Sequence, residues 1–377
     1  MKKKIFILQL TGGPLIEGKR VVFTEGGLLH TVSAALNLTD DYNISILCPN
    51  PPGQKEKRQI DYQGLKIISI GEASWIRFSQ YGNLDFFLKI RSLINEARPQ
   101  ILIGNNLLAS FLISFLPQEM KKVGVIHHFY LTLKNKFQPT VSAIKIFENF
   151  SFSFLKKLDA IAVINPLTKK ILIKKGFLEN KIFFIGNGAD KRLFSFSSKK
   201  EKNSLIYIGR LAELKGVEDL INVISEIKKE IPETVLHLVG DGPKQQFLEK
   251  KINLLNLKNN VIFHGCLDRE KIKGLLEKSS IYLSASRFEG FDIPLTEAMA
   301  CGCTPIVSNI YAHRFVFQNQ EVGYLVKDKN EMTRRTLELL RDENKRLFFA
   351  QNGRELVEEK WTWENVSKRY KNLLQSL

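Results

Sequence analysis

The sequence predicts an α/β protein made of two doubly wound parallel-sheet domains in tandem, facing each other across a cleft. Three observations predict this fold class. Short apolar runs alternate with helical patterns along the chain. A polar, charged stretch without periodicity interrupts this alternation at residues 194–204. The length of 377 residues exceeds that of one ordinary domain and allows two hydrophobic cores.

The first half of the chain alternates predicted strands and helices. Apolar runs such as KIFILQL and AIAVIN are typical of strands that are buried on both faces. The first run follows three lysines, as in a signal peptide, but it is short for one and no small-residue cleavage site follows. We therefore interpret it as a first buried strand. We predict strands over 4–10, 43–49, 65–70, 99–105, 122–128, 160–165 and 181–188, and helices over 26–38 and 83–97.

The second half restarts the same alternation after the interruption. Strands are predicted over 205–210, 234–243, 260–265, 280–286 and 304–309, and helices over 216–231 and from about residue 294. These patterns place an N-terminal domain at 1–193, a linker at 194–204, a C-terminal domain at 205–360 and a final helix at 361–377 that could pack back on either domain. Ligands of such sheets bind beyond the carboxyl ends of the strands, where we expect the site.

Charge and composition narrow the function classes. The 44% hydrophobic and 25% charged residues are globular values, and no apolar run is long enough for a transmembrane helix. Residues 1–200 carry 29 Lys and Arg against 14 Asp and Glu, a net charge of +15, whereas residues 201–377 carry 27 against 25, a net charge of +2. The first half therefore favours an acidic partner: a nucleic acid, an anionic membrane surface or a phosphorylated substrate. The four cysteines show neither a disulfide framework nor a zinc-site spacing, and we expect a cytoplasmic protein.

Two glycine-containing turns follow predicted strands of the second half. In GRLAELKG, Arg210 ends a strand and Lys215 precedes a glycine and a helix. Two cations at the carboxyl edge of a parallel sheet suit a diphosphate, although basic residues in such loops are commonly only solvated. The order of residues is not that of a P-loop. LVGDGP adds a glycine-rich turn, for which a simple tight turn is an equal alternative.

The stretch SRFEGFDIPLTEAMA places Glu289 and Glu297 on either side of a helix start, with Pro294 suited to the first turn. Backbone N–H groups at a helix N-terminus bind phosphate, whereas carboxylates accept hydrogen bonds from hydroxyl pairs. The layout fits a ligand with phosphate in the middle and hydroxyls at both ends, which is a nucleotide sugar. The alternative is a pair of acids favoured by the helix dipole.

These motifs, EGFDIPLTEAMACGCTPIVSN, GRLAELKG, VGDGP and IGNGAD, together resemble the GT4 family of retaining glycosyltransferases, which has the GT-B fold. They occur in the family's order, and the resemblance covers nearly the whole chain, most strongly residues 185–310. It implies two Rossmann-like domains and a metal-independent transfer of a sugar from a nucleotide-sugar donor to a hydroxyl acceptor.

The resemblance also implies roles for residues of the second half. Glu289 matches the glutamate that lies by the donor sugar, and Glu297 matches the one that holds the ribose hydroxyls. Arg210 and Lys215 match the cations that neutralise the diphosphate. The loop whose amides meet sugar and phosphate corresponds to Gly290 and Phe291.

In the first half, Gly26 and Gly27 match the glycine loop that approaches phosphate or acceptor. His127 matches the strand-end histidine that faces the donor sugar. Asn187 and Gly188 fall in the motif at the hinge side, after the last strand of the N-terminal domain.

The chain departs from the family pattern at three places. Asp292 replaces a frequent glycine, and it could tune the choice of sugar or cap the following helix; we favour the cap. His128 stands where the family often has aspartate, which leaves its role open. The glycine loop lies late after the first strand, so that Gly12 and Gly13 are rivals of Gly26 and Gly27.

The resemblance implies a mechanism that needs no metal and no cofactor, since no D-x-D motif is present and the donor, expected to be a UDP- or GDP-sugar, is a substrate. Either the acceptor hydroxyl attacks the face that the nucleotide leaves, or Glu289 forms a covalent intermediate. A nucleotide-sugar epimerase or hydrolase on the same fold is the alternative. A basic nucleic-acid-binding protein lacks support, because no helix-turn-helix, RRM or zinc pattern is found.

The acceptor is expected on the basic N-terminal domain as a carbohydrate or lipid-linked molecule of cell-envelope glycan, lipopolysaccharide or glycolipid synthesis. Residues 134–160 mix lysines with five phenylalanines. This segment could lie on the anionic inner face of the cell membrane, or it could be an ordinary core helix with a solvated lysine face.

Overall fold

The structure is a computed structural model of the chain, and it describes residues 2–10, 15–17, 20–22, 26–50, 59–72, 84–117, 119–132 and 139–377. The chain divides into two compact units, which are described separately. Unit 1 comprises Met1–Gly186 together with Trp363–Leu377, and unit 2 comprises Asn187–Thr362. The division after residue 186 lies seven residues before the boundary predicted at 193, and the residues Asn187 and Gly188 begin the second unit.

Unit 1 contains an eight-stranded sheet with helices between its strands. Its elements are β1 (Lys3–Leu8), β2 (Leu15–Glu17), β3 (Arg20–Val22), α1 (Gly26–Leu36), β4 (Tyr42–Asn50), β5 (Gln59–Tyr62), β6 (Leu65–Glu72), α2 (Leu84–Ala97), β7 (Ile101–Gly104), α3 (Leu107–Ile113), β8 (Lys121–Ile126), α4 (Pro139–Leu155), β9 (Ala160–Val163), α5 (Pro166–Lys174) and β10 (Ile182–Phe184). The strand order is β10-β9-β8-β7-β1-β4-β6-β5, and β2 pairs with β3 in a separate ribbon.

The sheet of unit 1 is parallel except at one edge, where β5 pairs antiparallel with β6. The turn between these two strands places Gln63 and Gly64 at positive φ, which is the geometry of a tight hairpin. The inner strands β7 and β9 are buried along their whole length, which explains their continuous apolar sequences. The first apolar run forms β1, as predicted.

Unit 2 contains a six-stranded parallel sheet of order β13-β12-β11-β14-β15-β16. Its elements are β11 (Glu201–Ile208), α6 (Val217–Ile227), β12 (Val235–Val239), α7 (Gln245–Leu254), β13 (Val261–Gly265), α8 (Arg269–Lys278), β14 (Ser279–Ser284), α9 (Ile293–Ala300), β15 (Thr304–Ser308), α10 (Tyr311–Phe317), β16 (Tyr324–Val326), α11 (Lys329–Arg341) and α12 (Glu343–Lys360). Its core packs α6 and α11 against β11, β12 and β14.

The predicted linker at 194–204 needs correction, because its last four residues begin β11 and Phe194 is fully buried. Glu201 and Lys202 extend exposed side chains from a hydrogen-bonded strand, so the polar sequence conceals the strand. A backbone can pair in a sheet while its side chains remain in water.

The last helix, α13 (Trp363–Gln375), belongs to unit 1. Tyr370 hydrogen-bonds His30 of α1 over 2.9 Å, and Lys371 pairs with Asp41 at 2.6 Å. Arg369 donates to the carbonyl oxygen of Ile185 over 2.7 Å. These contacts account for the grouping of the C-terminal residues with the N-terminal sheet. None of the helices in the described ranges is long and apolar enough to cross a membrane.

Candidate active site

The loop after β11 is pressed against the end of β14 at Gly216. This glycine has φ 61°, and a Cβ there would lie 2.2 Å from the carbonyl oxygen of Ala285. Only a residue without a side chain fits such an approach in this backbone conformation. The contact brings the turn Glu213–Lys215, which precedes the glycine, beside the loop that follows β14.

Lys215 and Glu289 form an ion pair between these two loops. The Nζ of Lys215 lies 2.5 Å from Oε1 of Glu289, and the hydroxyl of Ser286 donates to the same oxygen over 2.8 Å. The Glu289 side chain is only 11% exposed, so its carboxylate is held in one place. The carboxylate of such a pair can stabilise a developing positive charge, and the lysine can bind a phosphate.

Glu297 lies on α9, and its carboxylate is buried with 1% of the side chain exposed. Arg269 binds both oxygens, with Nη1–Oε2 at 3.0 Å and Nη2–Oε1 at 2.5 Å, in the fork geometry of a strong pair. The guanidinium also lies over the ring of Phe194 at 4.6 Å. Burial raises the pKa of the Glu297 carboxyl, and the charge of Arg269 opposes the increase.

Arg269 was missed by the sequence analysis, although one feature could have indicated it. It is the first residue of α8, where the helix dipole disfavours a cation. A cation at that position suggests a compensating anion, and Glu297 supplies it from 28 residues away. Both carboxylate oxygens of Glu297 therefore already accept hydrogen bonds, and each keeps one further acceptor position for a ligand hydroxyl.

Asp292 forms a buried polar network at the start of α9. Its φ of 81° is rare for a residue other than glycine, and its Oδ1 accepts from the N–H of Leu295 over 3.4 Å, so the predicted cap is confirmed. Nε2 of His313 lies 3.0 Å from Oδ2 of Asp292, while Nδ1 of the same ring lies 2.7 Å from the carbonyl oxygen of Ser308. Because that carbonyl only accepts, Nδ1 donates to it, and Nε2 on the other side of the ring faces the carboxyl group of Asp292. Tyr282 donates to Asp292 as well.

The buried ring of Phe291 fixes the loop between β14 and α9. It is 2% exposed and packs edge-on against Trp361 with ring centroids 5.3 Å apart. The side chain therefore fixes the backbone of Gly290 and Phe291, whose amides the sequence analysis assigned to ligand binding. Arg210 is exposed at the end of β11, and its carbonyl oxygen accepts from Tyr207 over 3.1 Å.

The glycine turn VGDGP also packs against the β11 loop. Gly240 has φ 123°, and a Cβ there would lie 2.2 Å from the carbonyl oxygen of Gly209. The turn is thus more than a reversal of the chain, because its backbone touches the loop that carries Arg210 and Lys215. The sequence alone did not decide between a simple tight turn and a glycine-rich turn that takes part in the site.

In unit 1, Asn105 gathers a second group of polar residues at the end of β7. Its amide donates to the carbonyl oxygen of Gly27 over 3.0 Å and to Gln9 over 2.6 Å, and it also hydrogen-bonds Thr31. Its Oδ1 lies 3.4 Å from Nε2 of His127. Asn105, which the sequence analysis missed, thereby links the N-terminus of α1 to the end of β8.

His127 follows β8 and lies edge-on to His30 with ring centroids 5.0 Å apart. Burial, together with the neighbouring His30 and His128, lowers the pKa of His127 well below its usual value. The imidazole is therefore neutral at pH 7 and can exchange hydrogen bonds with a ligand hydroxyl. His128 packs against Tyr130 with centroids 5.0 Å apart.

Comparison with known proteins assigns this chain to a family. Residues 188–356 match the model described as glycosyl transferases group 1, and residues 26–193 match that of glycosyltransferase family 4. The two matches together cover residues 26–356. The chain is a family 4-type glycosyltransferase.

Relatives of this glycosyltransferase agree with the assignment. An uncharacterized glycosyltransferase of Methanocaldococcus jannaschii is 26% identical over 378 residues, covering 93% of this chain and 95% of the relative. The poly(ribitol-phosphate) alpha-N-acetylglucosaminyltransferase of Staphylococcus aureus is 24% identical, covering 68% of this chain and 51% of the relative. HepE of Anabaena, solved with UDP and glucose, has a TM-score of 0.77 at 16% identity and covers 100% of both chains. The glycosyltransferase has the GT-B fold and is an enzyme of the hexosyltransferase type.

The predicted site residues of the glycosyltransferase lie in two groups, one in each unit. Unit 2 holds the first group on the loops after β11 and β14 and on α9: Arg210, Lys215, Glu289, Gly290, Phe291 and Glu297. Unit 1 holds Gly26, Gly27 and His127, whereas the rival pair Gly12 and Gly13 lies outside the described residues. Within the described ranges, no cluster of three or more His, Cys, Asp or Glu side chains could hold a metal ion, and all four cysteines are free.

Proposed function

We propose that this glycosyltransferase moves a hexose from a nucleotide-sugar donor to an acceptor hydroxyl, with retention of the anomeric configuration and without a metal ion. One observation carries the proposal: the Lys215–Glu289 ion pair and the buried Glu297 lie on either side of the start of α9. The complex of HepE with UDP and glucose supports a nucleotide-sugar donor. We expect UDP or GDP as the nucleotide.

The residues of unit 2 divide the donor between them. Arg210, Lys215 and the amides of Gly290 and Phe291 would balance the charge of the diphosphate, a task that other enzymes give to a metal ion. Glu297 would accept hydrogen bonds from the ribose hydroxyls while Arg269 fixes its orientation. When the diphosphate binds, Lys215 can turn toward it, which leaves Glu289 to face the sugar.

The reaction breaks the bond between the anomeric carbon and the phosphate oxygen and forms one to the acceptor oxygen on the same face. The proton of the acceptor hydroxyl passes to the departing phosphate, and Glu289 stabilises positive charge at the anomeric carbon. A covalent glycosyl intermediate on Glu289 is the competing route. His127, which is neutral, would hydrogen-bond a donor hydroxyl, and the glycine pair at the start of α1 would lie near phosphate or acceptor.

The acceptor is proposed to be a carbohydrate or lipid-linked precursor of a cell-envelope glycan or glycolipid. The S. aureus relative, which is named for an acceptor of poly(ribitol-phosphate), supports this class. Such an acceptor would place the protein at the inner face of the cell membrane.

Ligand binding tests the donor assignment. A thermal-shift screen against UDP, GDP, ADP and their sugars, with EDTA present, should give a higher Tm with one nucleotide, because a ligand that binds the folded state stabilises it by mass action. The increase should be lost in Glu297→Gln and kept in Glu249→Gln, a control on α7. No increase with any nucleotide would overturn the proposal.

Product analysis tests the reaction. With donor and acceptor present, the anomeric proton coupling of the product should match that of the donor sugar, which shows retention. Without acceptor, an epimerised sugar nucleotide or rapid release of free sugar would instead support the epimerase or hydrolase alternative.

A further inference from the structure

Five phenylalanines form a cluster on the surface of unit 1, between α3 and α4. Phe111 contacts the rings of Phe115, Phe147 and Phe154 with centroids 5.0, 5.3 and 5.1 Å apart. Phe150 joins the group through Phe154 at 5.1 Å. This phenylalanine cluster is more contiguous than the scattered apolar residues of an ordinary protein surface.

The cluster is open to solvent. Phe150 is 58% exposed and Phe115 is 49% exposed. On α4, the helix of Phe150, Ile146 is 71% and Ile144 is 36% exposed. Exposed apolar groups that adjoin one another in this way mark a surface that another phase or molecule covers. The helix α4 also packs Phe152 and Leu155 into the core of unit 1, as the alternative interpretation of this segment expected, but packing into the core does not account for the exposed apolar side chains on its outer face.

The exposed charges of residues 144–157, which include most of α4, are of one sign. In residues 144–157 the single acid is Glu148, whose carboxylate is buried and accepts from the N–H groups of Tyr130 and Leu131 over 2.6 and 2.8 Å. Lys156 and Lys157 are exposed at the end of α4, and the Nζ of Lys157 lies 5.2 Å from the ring centroid of Phe154. The acid of this stretch is thus withdrawn from the surface while the lysines remain on it.

We propose that the phenylalanine cluster, with Ile146 and the lysines at positions 156 and 157, docks on an anionic lipid membrane. Aromatic and aliphatic side chains enter the boundary of the acyl chains, and lysines at the rim meet the negative headgroups. A second copy of the chain fits less well, because a symmetric contact would set lysines against lysines without an exposed carboxylate of α4 between them. Membrane docking would bring unit 1 to a lipid-linked acceptor, and it does not depend on the proposed donor chemistry.

Vesicle flotation with the full chain tests the docking surface. The wild-type protein should bind vesicles of phosphatidylcholine mixed with phosphatidylglycerol at least about tenfold more strongly than vesicles of phosphatidylcholine alone. The triple variant Phe115→Ser, Ile146→Ser, Phe150→Ser should lose at least about tenfold of this binding, since it removes exposed apolar area that the bilayer would bury.

A matched control uses exposed apolar residues of unit 2: Phe247→Ser, Leu254→Ser and Phe348→Ser, which change side chains that are 44%, 81% and 48% exposed. This variant should float like the wild type. The pair Lys156→Gln, Lys157→Gln should reduce the preference for phosphatidylglycerol and leave weak binding to phosphatidylcholine.

Three results would overturn the proposal: no preference of the wild type for anionic vesicles, equal flotation of the triple variant and the wild type, or a dimer in light scattering that the triple variant abolishes. All these variants should remain folded and keep the increase in Tm that nucleotide gives the wild type. Loss of flotation with an intact nucleotide response separates this surface from the donor site, so that either proposal can fail alone.

Discussion

Replacing Arg269 by alanine would leave the carboxylate of Glu297 buried without its cation. In the wild type, two hydrogen bonds from the guanidinium hold both oxygens of that carboxylate, and Glu297 has no other acidic or basic partner at hydrogen-bond distance among the described contacts. The variant tests whether the pair holds in place the carboxylate that we propose to bind ribose.

The expected cost follows from burial. Removing one partner of a buried ion pair costs about 3–5 kcal/mol, because the remaining charge is neither solvated nor paired. Arg269 retains 20% exposure and Glu297 only 1%, so we expect the lower end, about 3 kcal/mol. For a unit of this size the decrease corresponds to about 6–12 °C in Tm.

The pH dependence gives a second measurement. Because the pKa of Glu297 is raised in the folded state, folding favours its protonated form. This contribution is complete below the ordinary glutamate pKa and is lost as the pH rises through the raised value. Without Arg269 the pKa rises further, so the difference in stability between variant and wild type should be small below the ordinary glutamate pKa and should grow as the pH rises above it.

Calorimetry or urea unfolding of four proteins completes the test: wild type, Arg269→Ala, Glu297→Gln and the double variant. Glutamine carries no charge, so the double variant should recover part of the stability lost in Arg269→Ala. A change in Tm below about 2 °C at neutral pH, or a double variant as unstable as Arg269→Ala, would refute the reasoning.

Three further predictions concern the loops of unit 2. Lys215→Ala should weaken nucleoside diphosphate binding by about 10- to 100-fold in calorimetry, since a charge-assisted contact is lost. The control Lys229→Ala, which breaks an exposed pair with Glu226, should have no effect. Equal affinities of Lys215→Ala and the wild type would contradict the phosphate role. Gly265→Ala should lower the unfolding free energy by about 1–2 kcal/mol through its positive φ alone, because no atom lies within 4 Å of the new Cβ. Gly216→Ala should lower it by about 2 kcal/mol more, because the new Cβ collides with Ala285. Urea unfolding measures both values. Asp292→Ala should lower the unfolding free energy by about 2–3 kcal/mol, because it removes the cap of α9 and the acceptor of His313. Asp292→Asn should lower it less, because asparagine keeps the shape of the side chain. The same decrease in both variants would show that this shape does not contribute.

The alternation of strands and helices and the start of α9 follow from the amino-acid sequence alone. Strands of a parallel sheet are covered on both faces, so they must be continuous apolar runs such as those of β7 and β9. Pro294 and Asp292 specify a helix start through φ and through an N-cap hydrogen bond, which are properties of a few neighbouring residues. Glu289 and Glu297 could therefore be placed on either side of that start before any tertiary contact was known.

The contacts of those residues depend on how the elements pack. Arg269 reaches Glu297 and His313 reaches Asp292 across 28 and 21 residues, and Lys215 reaches Glu289 across 74. The assignment of α13 to unit 1 depends on contacts of Tyr370 and Lys371 with α1 and the turn after it. Local periodicity reports which face of an element is apolar, but the partner of a charge is set by the order of strands in the sheet. For the same reason, a strand with polar side chains such as the start of β11 is defined only by the neighbour with which its backbone pairs.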